Sequence, residues 1–575
     1  MKKLLPFLSE YKLESFLAPL FKMLEALFEL IVPLVVASII NDGIRQNNLK
    51  FVLSRAAILV VLAVVGMIAS ITAQYFAAKA ATGFATNVRH ALFDKIQTFS
   101  FNEYDRLGTS TLITRLTNDV NQAQSTVNMV LRLFLRSPFI VAGAFVMALF
   151  INAKVSLIFL LVIVLLSVVV TVIMKVTVPM YRNVQNTLDD VTLMTRESLT
   201  GARVIRAFTE EEQSYNRFNE KNSLLAHFQR SVGRISALMN PITYVIINLG
   251  IVFLIYDGAV KVNEGVLNQG EVVALYNYMS QILVELVKFA SLIVTITKGF
   301  ASCTRISSVL DVDNTLQFVD DDTCYDNHAV AFDNVSLKYN QSDEESLTDI
   351  SFYADRGEVI GIIGSTGSGK SSLVDLIPHY YDSTNGRVTV FGKNVKSYDK
   401  TELRSKIGFV MQKAVLFSGT VRDNIRWGKA DATDDEINEA LKVAQIYDNI
   451  YEKNGLDTVI EQNGANLSGG QKQRLSIARA LVSKPEIIVL DDSASALDFA
   501  TEKALREAIL SLDYKPTLFI VSERSSSILS ADKIVVLDDG HTVGIGTNKE
   551  LLKSCEVYRE IYLSQFSDEE VAVNE

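Results

Sequence analysis

The order of apolar and polar residues divides the chain in two. Up to about residue 300, apolar residues come in long runs, each near the ~20 residues needed to cross a bilayer's hydrocarbon. The runs are Phe16–Ile40, Val52–Ala78, Met129–Ile151, Val155–Val178, Ile235–Tyr256 and Val272–Thr295. After Leu310 they stop, and Asp311–Asn327 is acidic and polar. From Val330 the chain alternates short apolar stretches with glycine-punctuated turns, the pattern of strands and helices around a sheet. The expected fold is an all-α transmembrane domain of six spanning helices over residues 1–310, a linker over 311–327, and an α/β domain over 328–575 that ends in a short acidic tail.

The connections between the runs carry the topology. Ala80–Asn128 and Tyr181–Arg234 are long, mixed in charge and poor in glycine and proline, so they read as helices continuing from the membrane into water. The basic residues concentrate there: Arg89, Lys95, Arg106 and Arg115 in the first, and Arg182, Arg196, Arg203, Arg206, Arg217 and Arg230 in the second. Lys298 and Arg305 follow the last run, whereas Asn41–Lys50, Asn152–Lys154 and Asp257–Gly270 are short and poorer in charge. The excess of Lys and Arg on one side puts the amino terminus, both long loops and the second half in the cytoplasm. Each loop has a break, at Tyr104–Thr111 and at Gly201–Phe208, where a short helix could dock on another domain. The first residues, through Phe16, lack a cleavable signal pattern and read as a short amphipathic helix on the membrane surface.

Composition fits a membrane protein. Of 575 residues, 49% are hydrophobic and 21% charged, and the net charge of -10 argues against a nucleic-acid partner. Cys303, Cys324 and Cys555 have no metal-ligand or redox spacing and read as reduced thiols. Several ionisable residues nevertheless fall inside the spans. Glu25 and Glu29, Arg132 and Arg136, and Glu285 and Lys288 lie three or four residues apart, on shared helix faces. Charges at such depth either line a polar path for substrate or pair between helices, and the spacing leaves both readings open.

The second half carries the chemistry. Val359–Ile363 reads as a buried strand running into Gly364-Ser365-Thr366-Gly367-Ser368-Gly369-Lys370-Ser371, which matches the phosphate-loop pattern. Its glycines allow backbone N–H groups to face a phosphate, with a helix amino terminus behind them. Lys370 reaches β- and γ-phosphates in such a loop, and Ser371 supplies an oxygen to Mg²⁺. Ser372 continues the site. Downstream, Ile487–Leu490 reads as a strand buried on both faces that ends in Asp491–Asp492, at the edge where open α/β sheets bind ligands.

Asn466-Leu-Ser468-Gly469-Gly470-Gln471-Lys-Gln-Arg474 resembles the signature of the ATP-binding cassette (ABC) family, and it precedes the Asp491 strand as that family's order requires. Gln412 resembles the family's Q-loop glutamine, Tyr339 its adenine-stacking aromatic, and Ser495–Asp498 its D-loop. The resemblance covers the whole chain and implies the half-transporter arrangement of ABC exporters. Such chains pair head to tail, with ATP and Mg²⁺ between the phosphate loop of one cassette and the signature of the other. The metal side falls on Ser371, Gln412 and Asp491. The partner would be a second half-transporter in the same bilayer.

Two positions depart from the family pattern. The family usually has Glu after the second motif's Asp, to position or deprotonate the attacking water; here it is Asp492. The shorter side chain draws the carboxylate back by about one C–C bond, ~1.5 Å. A misplacement of ~1 Å can lower the rate ~10²-fold. The family also expects a switch His after the next strand, where Glu523 stands, and none of the 5 histidines falls near it. A carboxylate there repels the γ-phosphate. Together with Glu461-Gln-Asn-Gly464 before an intact signature, these changes resemble the degenerate half of a heterodimeric exporter. Such a chain holds ATP in a slow site and completes its partner's competent site with Ser468–Gln471. The implied substrates are amphipathic drugs or lipids, because the spans offer much apolar surface. Import on the same fold, or an ATP-gated regulatory or channel-like role with little turnover, are the alternatives.

Overall fold

The computed structural model describes residues 2–566 apart from 320, 322, 340, 341 and 343; the acidic tail lies outside the described residues. The chain forms two compact units, Met1–Gln97 with Ser110–Val312, and Thr98–Thr109 with Asp313–Glu575.

Among the described residues, six helices of the first unit are long and apolar enough to cross a membrane. They are α1 (Lys3–Ile44), α2 (Leu49–Gln97), then, after the short α3 (Phe101–Leu107) of the second unit, α4 (Thr109–Ile151), α5 (Ala153–Thr200), α7 (Glu211–Asn263) and α8 (Gln269–Leu310). The short α6 (Ala202–Ala207) interrupts the second long loop. All six exceed a bilayer's thickness, so the cytoplasmic loops are helical extensions of the spans. Helices suit this medium because they satisfy every backbone group internally. Their outward faces are apolar, with Val60, Ile71, Leu161 and Phe253 exposed. Their inner faces use small residues such as Ala26, Ala144, Ala148 and Ala274, which let helices approach closely. At Gly143 a Cβ would come within 2.3 Å of Leu30 Cδ1. The first turns are 3-10 helical over Lys2–Tyr11, with Leu4 buried.

Most of the intramembrane charges are paired, some between helices and some along one helix. Arg136 is buried and donates from Nη1 to Glu285 Oε1 and from Nη2 to Glu29 Oε2, each at 2.6 Å. Ser137 Oγ donates to the second Glu285 oxygen at 2.7 Å, and Lys288 Nζ lies 3.2 Å from the first. Glu25 pairs with Lys22 at 2.5 Å. Arg132 sits half-buried on a π-helical turn, Val130–Phe134. The Arg136 network ties α1, α4 and α8 together, which favours pairing over an open polar path at these residues.

In the second unit, α3 packs with the cassette. The strands are β1 (Val330–Leu337), β2 (Leu347–Ala354), β3 (Val359–Gly364), β4 (Asn385–Val390), β5 (Lys393–Asn394), β6 (Ile407–Val410), β7 (Gly419–Thr420), β8 (Val459–Ile460), β9 (Ile487–Asp491), β10 (Thr517–Val521), β11 (Lys533–Asp538) and β12 (His541–Gly546). Among the described residues they form a six-stranded sheet in the order β12-β11-β3-β10-β9-β6, a four-stranded sheet β2-β1-β4-β5, and the pair β7-β8. In the large sheet every neighbouring pair is parallel except β11–β12. The helices are α9 (Lys370–Val374), α10 (Lys400–Ser405), α11 (Val421–Arg426), α12 (Asp434–Val443), α13 (Tyr447–Tyr451), α14 (Gly469–Leu481), α15 (Phe499–Leu510), α16 (Asn548–Ser554) and α17 (Glu556–Leu563). Every residue of β3, β9 and β10 is buried, as continuous apolar runs require of strands covered on both faces.

The segment expected as a linker is stitched to this unit. Thr315 donates from its backbone N–H and hydroxyl to Glu103 Oε1 of α3, at 3.1 and 2.7 Å. The Gln317 N–H donates to Asp382 at 2.7 Å. Glu103 also accepts from the backbone N–H and hydroxyl of Ser100, closing a capping box, and Gly108 ends α3 at φ +74°.

Two outcomes follow from these contacts. Arg136→Ala leaves buried Glu285 with only the exposed Lys288 beside it and should lower stability by about 3 kcal/mol, the lower end for broken buried pairs. Adding Glu285→Gln should restore part of the loss, as read from thermal unfolding of the full chain in detergent. Burial pushes the Glu103 carboxyl up, but the bonds from Ser100 and Thr315 outweigh it and hold it below the usual carboxylate range. Its contribution is therefore complete above about pH 4.3, the unfolded value, and is lost as pH falls through the lowered folded value. Hydrogen exchange at residues 98–109 should rise on acidification in the wild type, and Glu103→Gln should flatten that response.

Candidate nucleotide-binding site

Four strands of the parallel sheet deliver the candidate residues to one edge. β3 ends in Gly364, β9 in Asp491, β10 runs on to Glu523, and β6 runs on to Gln412. Between them lies a cleft of about 390 Å³ lined by Thr366, Gly367, Gly369, Lys370, Ser371, Ser372, Gln412, Asp491, Asp492 and Glu523, with Ser346 and Gly540 among the other walls. The loop turns through Gly367 and Gly369, at φ +88° and +94°, a left-handed region that only glycine enters freely. At Gly369 a Cβ would also lie 2.7 Å from the Ser346 carbonyl. Gly364 and Ser365 contribute carbonyls, which accept from Lys370 Nζ at 2.9 and 2.7 Å, while Ser368 is buried beneath the loop.

Ser371 Oγ donates to Asp491 Oδ1 at 3.0 Å, so hydroxyl and carboxylate meet at the mouth of the loop. Burial, with help from neighbouring Asp492, pushes the Asp491 carboxyl up. Behind it, burial first and then Asp491 and Asp105 push Asp375 up to about 7. Gln412 Nε2 donates to Asp492 Oδ2 at 3.3 Å. Ser371 and Asp491 meet as oxygen ligands at the loop's mouth, and Gln412 has an amide oxygen besides the nitrogen bonded to Asp492, a set that suits a hard cation. Ser371, Asp491 and Gln412 are the residues that would hold Mg²⁺, which would neutralise phosphate charge there.

The two departures from the family pattern both face this cleft. Asp492 sits at φ +42°, a left-handed conformation that Asp tolerates better than longer residues. Glu523 Oε1 accepts from Thr366 Oγ1 at 2.9 Å and lies 3.4 Å from Lys370 Nζ. The carboxylate thus bonds the phosphate loop's own hydroxyl and shares its lysine. Its backbone is clasped from the carboxyl-terminal end of the described chain: Gln565 Nε2 donates to the Glu523 carbonyl, and the Ser525 N–H donates to Gln565 Oε1, both at 2.7 Å. Sequence motifs did not point to Gln565, because it follows α17, far along the chain from every motif.

Other candidates stand apart from the cleft. Ser468–Gln471 open α14, where Ser468 and Gln471 form a reciprocal capping box, and none of the four is among the cleft's lining residues. Tyr339, expected to stack on adenine, is also outside that lining. Its hydroxyl finds a partner in Ser372 Oγ at 2.9 Å, and its ring meets Tyr381 edge-on at 5.0 Å. A partly buried phenol is favoured by such a partner, and these contacts occupy the Tyr339 hydroxyl and ring edge.

Fold and site together define a membrane protein that carries a phosphate-loop nucleotide-binding cassette. Residues 15–286 match the family model of the ABC transporter transmembrane region, and residues 347–495 match the ABC transporter model. The uncharacterized ABC transporter ATP-binding protein YfiB of Bacillus subtilis (strain 168) is 38% identical over 572 residues, 99% of each chain. The ATP-dependent lipid A-core flippase 1 of Colwellia psychrerythraea (strain 34H / ATCC BAA-681) is 29% identical over 579 residues, covering 98% of this chain and 96% of the flippase. The solved structure of a bacterial Atm1-family ABC exporter with ATP bound superposes with a TM-score of 0.80, at 22% identity, over 98% of this chain and 99% of that one. The chain belongs to the ABC transporter family, and its fold is that of an ABC exporter half.

Glu523→Gln should raise the full chain's affinity for ATP roughly fivefold. That corresponds to about 1 kcal/mol for removing a half-exposed charge beside the phosphate loop. Titration with a fluorescent ATP analogue would show it, and unchanged or weaker binding would mean that Glu523 does not oppose nucleotide.

Proposed function

We propose that this chain is one half of a heterodimeric exporter of amphipathic compounds, in which its own ATP site turns over slowly. The observation that carries this reading is Glu523, bonded to Thr366 and 3.4 Å from Lys370 at the loop that would receive the γ-phosphate. Asp492 supports it, since a carboxylate on a shorter stem reaches less far toward a water than Glu does, and general-base help depends on that reach. The signature is intact and lies outside its own cleft, which supports its serving a second cassette. Surfaces suited to a second copy of the fold are also exposed. Val204 and Phe208 around α6 are 60% and 75% exposed, and Trp427 of the cassette is 68% exposed and stacked on Phe417.

In this reading ATP draws the two cassettes together and hydrolysis at the partner's site lets them part. In the chain's own site, Lys370 and the loop amides hold the phosphates while Asp492 orients water poorly. Ser371, Asp491 and Gln412 would hold Mg²⁺, which would supply charge neutralisation to the phosphates there. The substrate class is amphipathic, drug or lipid, because the spans present much apolar surface and their charges are largely paired. The flippase relative agrees with a lipid-like cargo.

ATPase assays separate this reading from its competitors. The isolated chain should turn over slowly, and Asp492→Glu combined with Glu523→His should raise its rate by about 10-fold or more. Robust turnover of the unaltered chain as a homodimer would overturn the heterodimer. Gly469→Asp should impair the partner's site more than this one, whereas equal loss at both would count against the assignment.

A further inference from the structure

Within the second unit, an unbroken set of contacts links α3 to the nucleotide cleft. Asp105 of α3 accepts from Tyr381 OH at 2.7 Å. Tyr381 is buried, and its ring meets Tyr339 edge-on at 88° with centroids 5.0 Å apart. Tyr339 OH donates to Ser372 Oγ at 2.9 Å, and the neighbouring Ser371 donates to Asp491. Phe101 of α3 packs on the adjoining Tyr380 at 4.4 Å, which fixes the helix over the same pair of tyrosines.

We propose that Tyr381 is a positioning residue that couples occupancy of the adenine site to the seat of α3, through its bond to Asp105 and its edge contact with Tyr339. This rests on the proposed function, in which Tyr339 takes the base. To stack on a base, the Tyr339 ring must leave Ser372 and withdraw from Tyr381. The inward ring and the seated helix support each other, since Tyr381 cannot follow Tyr339 outward while its hydroxyl is held by Asp105. Coupling of this kind is reciprocal. A base that draws Tyr339 outward loosens α3, and a loosened α3 makes the outward ring easier to reach. Because α3 connects α2 to α4 in the chain, its seat is where a message from the cassette would enter the spans.

The contact set distinguishes the base from the phosphates. Tyr381 and Asp105 touch neither the phosphate loop nor the acids at the end of β9. Their removal should therefore change the affinity for ATP and leave that for inorganic tripolyphosphate, which has no base, as it was.

The test uses the full chain in lipid nanodiscs. Tyr381→Phe keeps the ring and removes the hydroxyl, and Asp105→Asn replaces the other end of the bond. Each should tighten ATP by about fivefold, the lower end of ordinary coupling. Tripolyphosphate binding should stay unchanged, and the double variant should match either single one. In the wild type, ATP should raise hydrogen exchange at residues 98–109, tripolyphosphate should not, and Tyr381→Phe should abolish the ATP response. Faster exchange at α3 with no change in ATP affinity would reduce the bond to a structural one and overturn the proposal. Equal shifts for ATP and tripolyphosphate would overturn it too, since the base would then play no part. Loss of both ligands from the wild type would instead remove the nucleotide-site reading on which the proposal stands.

Discussion

A parallel sheet buried on both faces leaves only its strand ends open to a ligand. That constraint organises the cassette. With β3, β10, β9 and β6 side by side and parallel, their carboxyl ends fall along one edge. The residues that line the cleft's phosphate end are then within a few residues of that edge: the phosphate loop after β3, Asp491 and Asp492 at and after β9, Glu523 after β10, Gln412 after β6. The Ser371–Asp491 bond closes the arrangement by tying the loop's helix to the end of β9. The same constraint makes the site sensitive to single substitutions, because each strand contributes only one or two side chains to it.

In the first unit the governing constraint is different. Helices that cross hydrocarbon must satisfy their own backbone, so the chemistry moves to side chains between helices. Small residues let the helices approach, and a buried Arg136 bridges two carboxylates from two other helices. A broken buried pair is costly while an intact one adds modest stability, so such a network acts more as a register pin than as a source of stability. It also leaves Glu29, Arg136 and Glu285 engaged with one another.

Glu523 and Gln565 show how a carboxylate is held beside the phosphate loop. A carboxylate at the switch position is unfavourable beside phosphate, yet without nucleotide it has good partners in Thr366 and Lys370. Gln565 holds the backbone that presents it. A nucleotide entering this cleft meets a carboxylate that already engages the loop's hydroxyl and shares its lysine.

The sequence alone determined the division into spans and cassette, because hydrocarbon and buried sheets each demand an apolar pattern of their own length. It also determined the phosphate loop, Asp491, Asp492 and Glu523, since these lie in or beside contiguous motifs whose spacing is set by one turn of chain. The breaks at Tyr104–Thr111 and Gly201–Phe208 were legible for the same local reason. Only the tertiary structure decided that the intramembrane charges pair, that Tyr339 turns inward onto Ser372 and Tyr381, and that Gln565 clasps the Glu523 loop. It also decided that Thr315 and Gln317 are stitched to the second unit and that α3 belongs with it. Each of these joins residues far apart in the chain through one or two side-chain bonds, and no periodicity or motif encodes a bond of that kind.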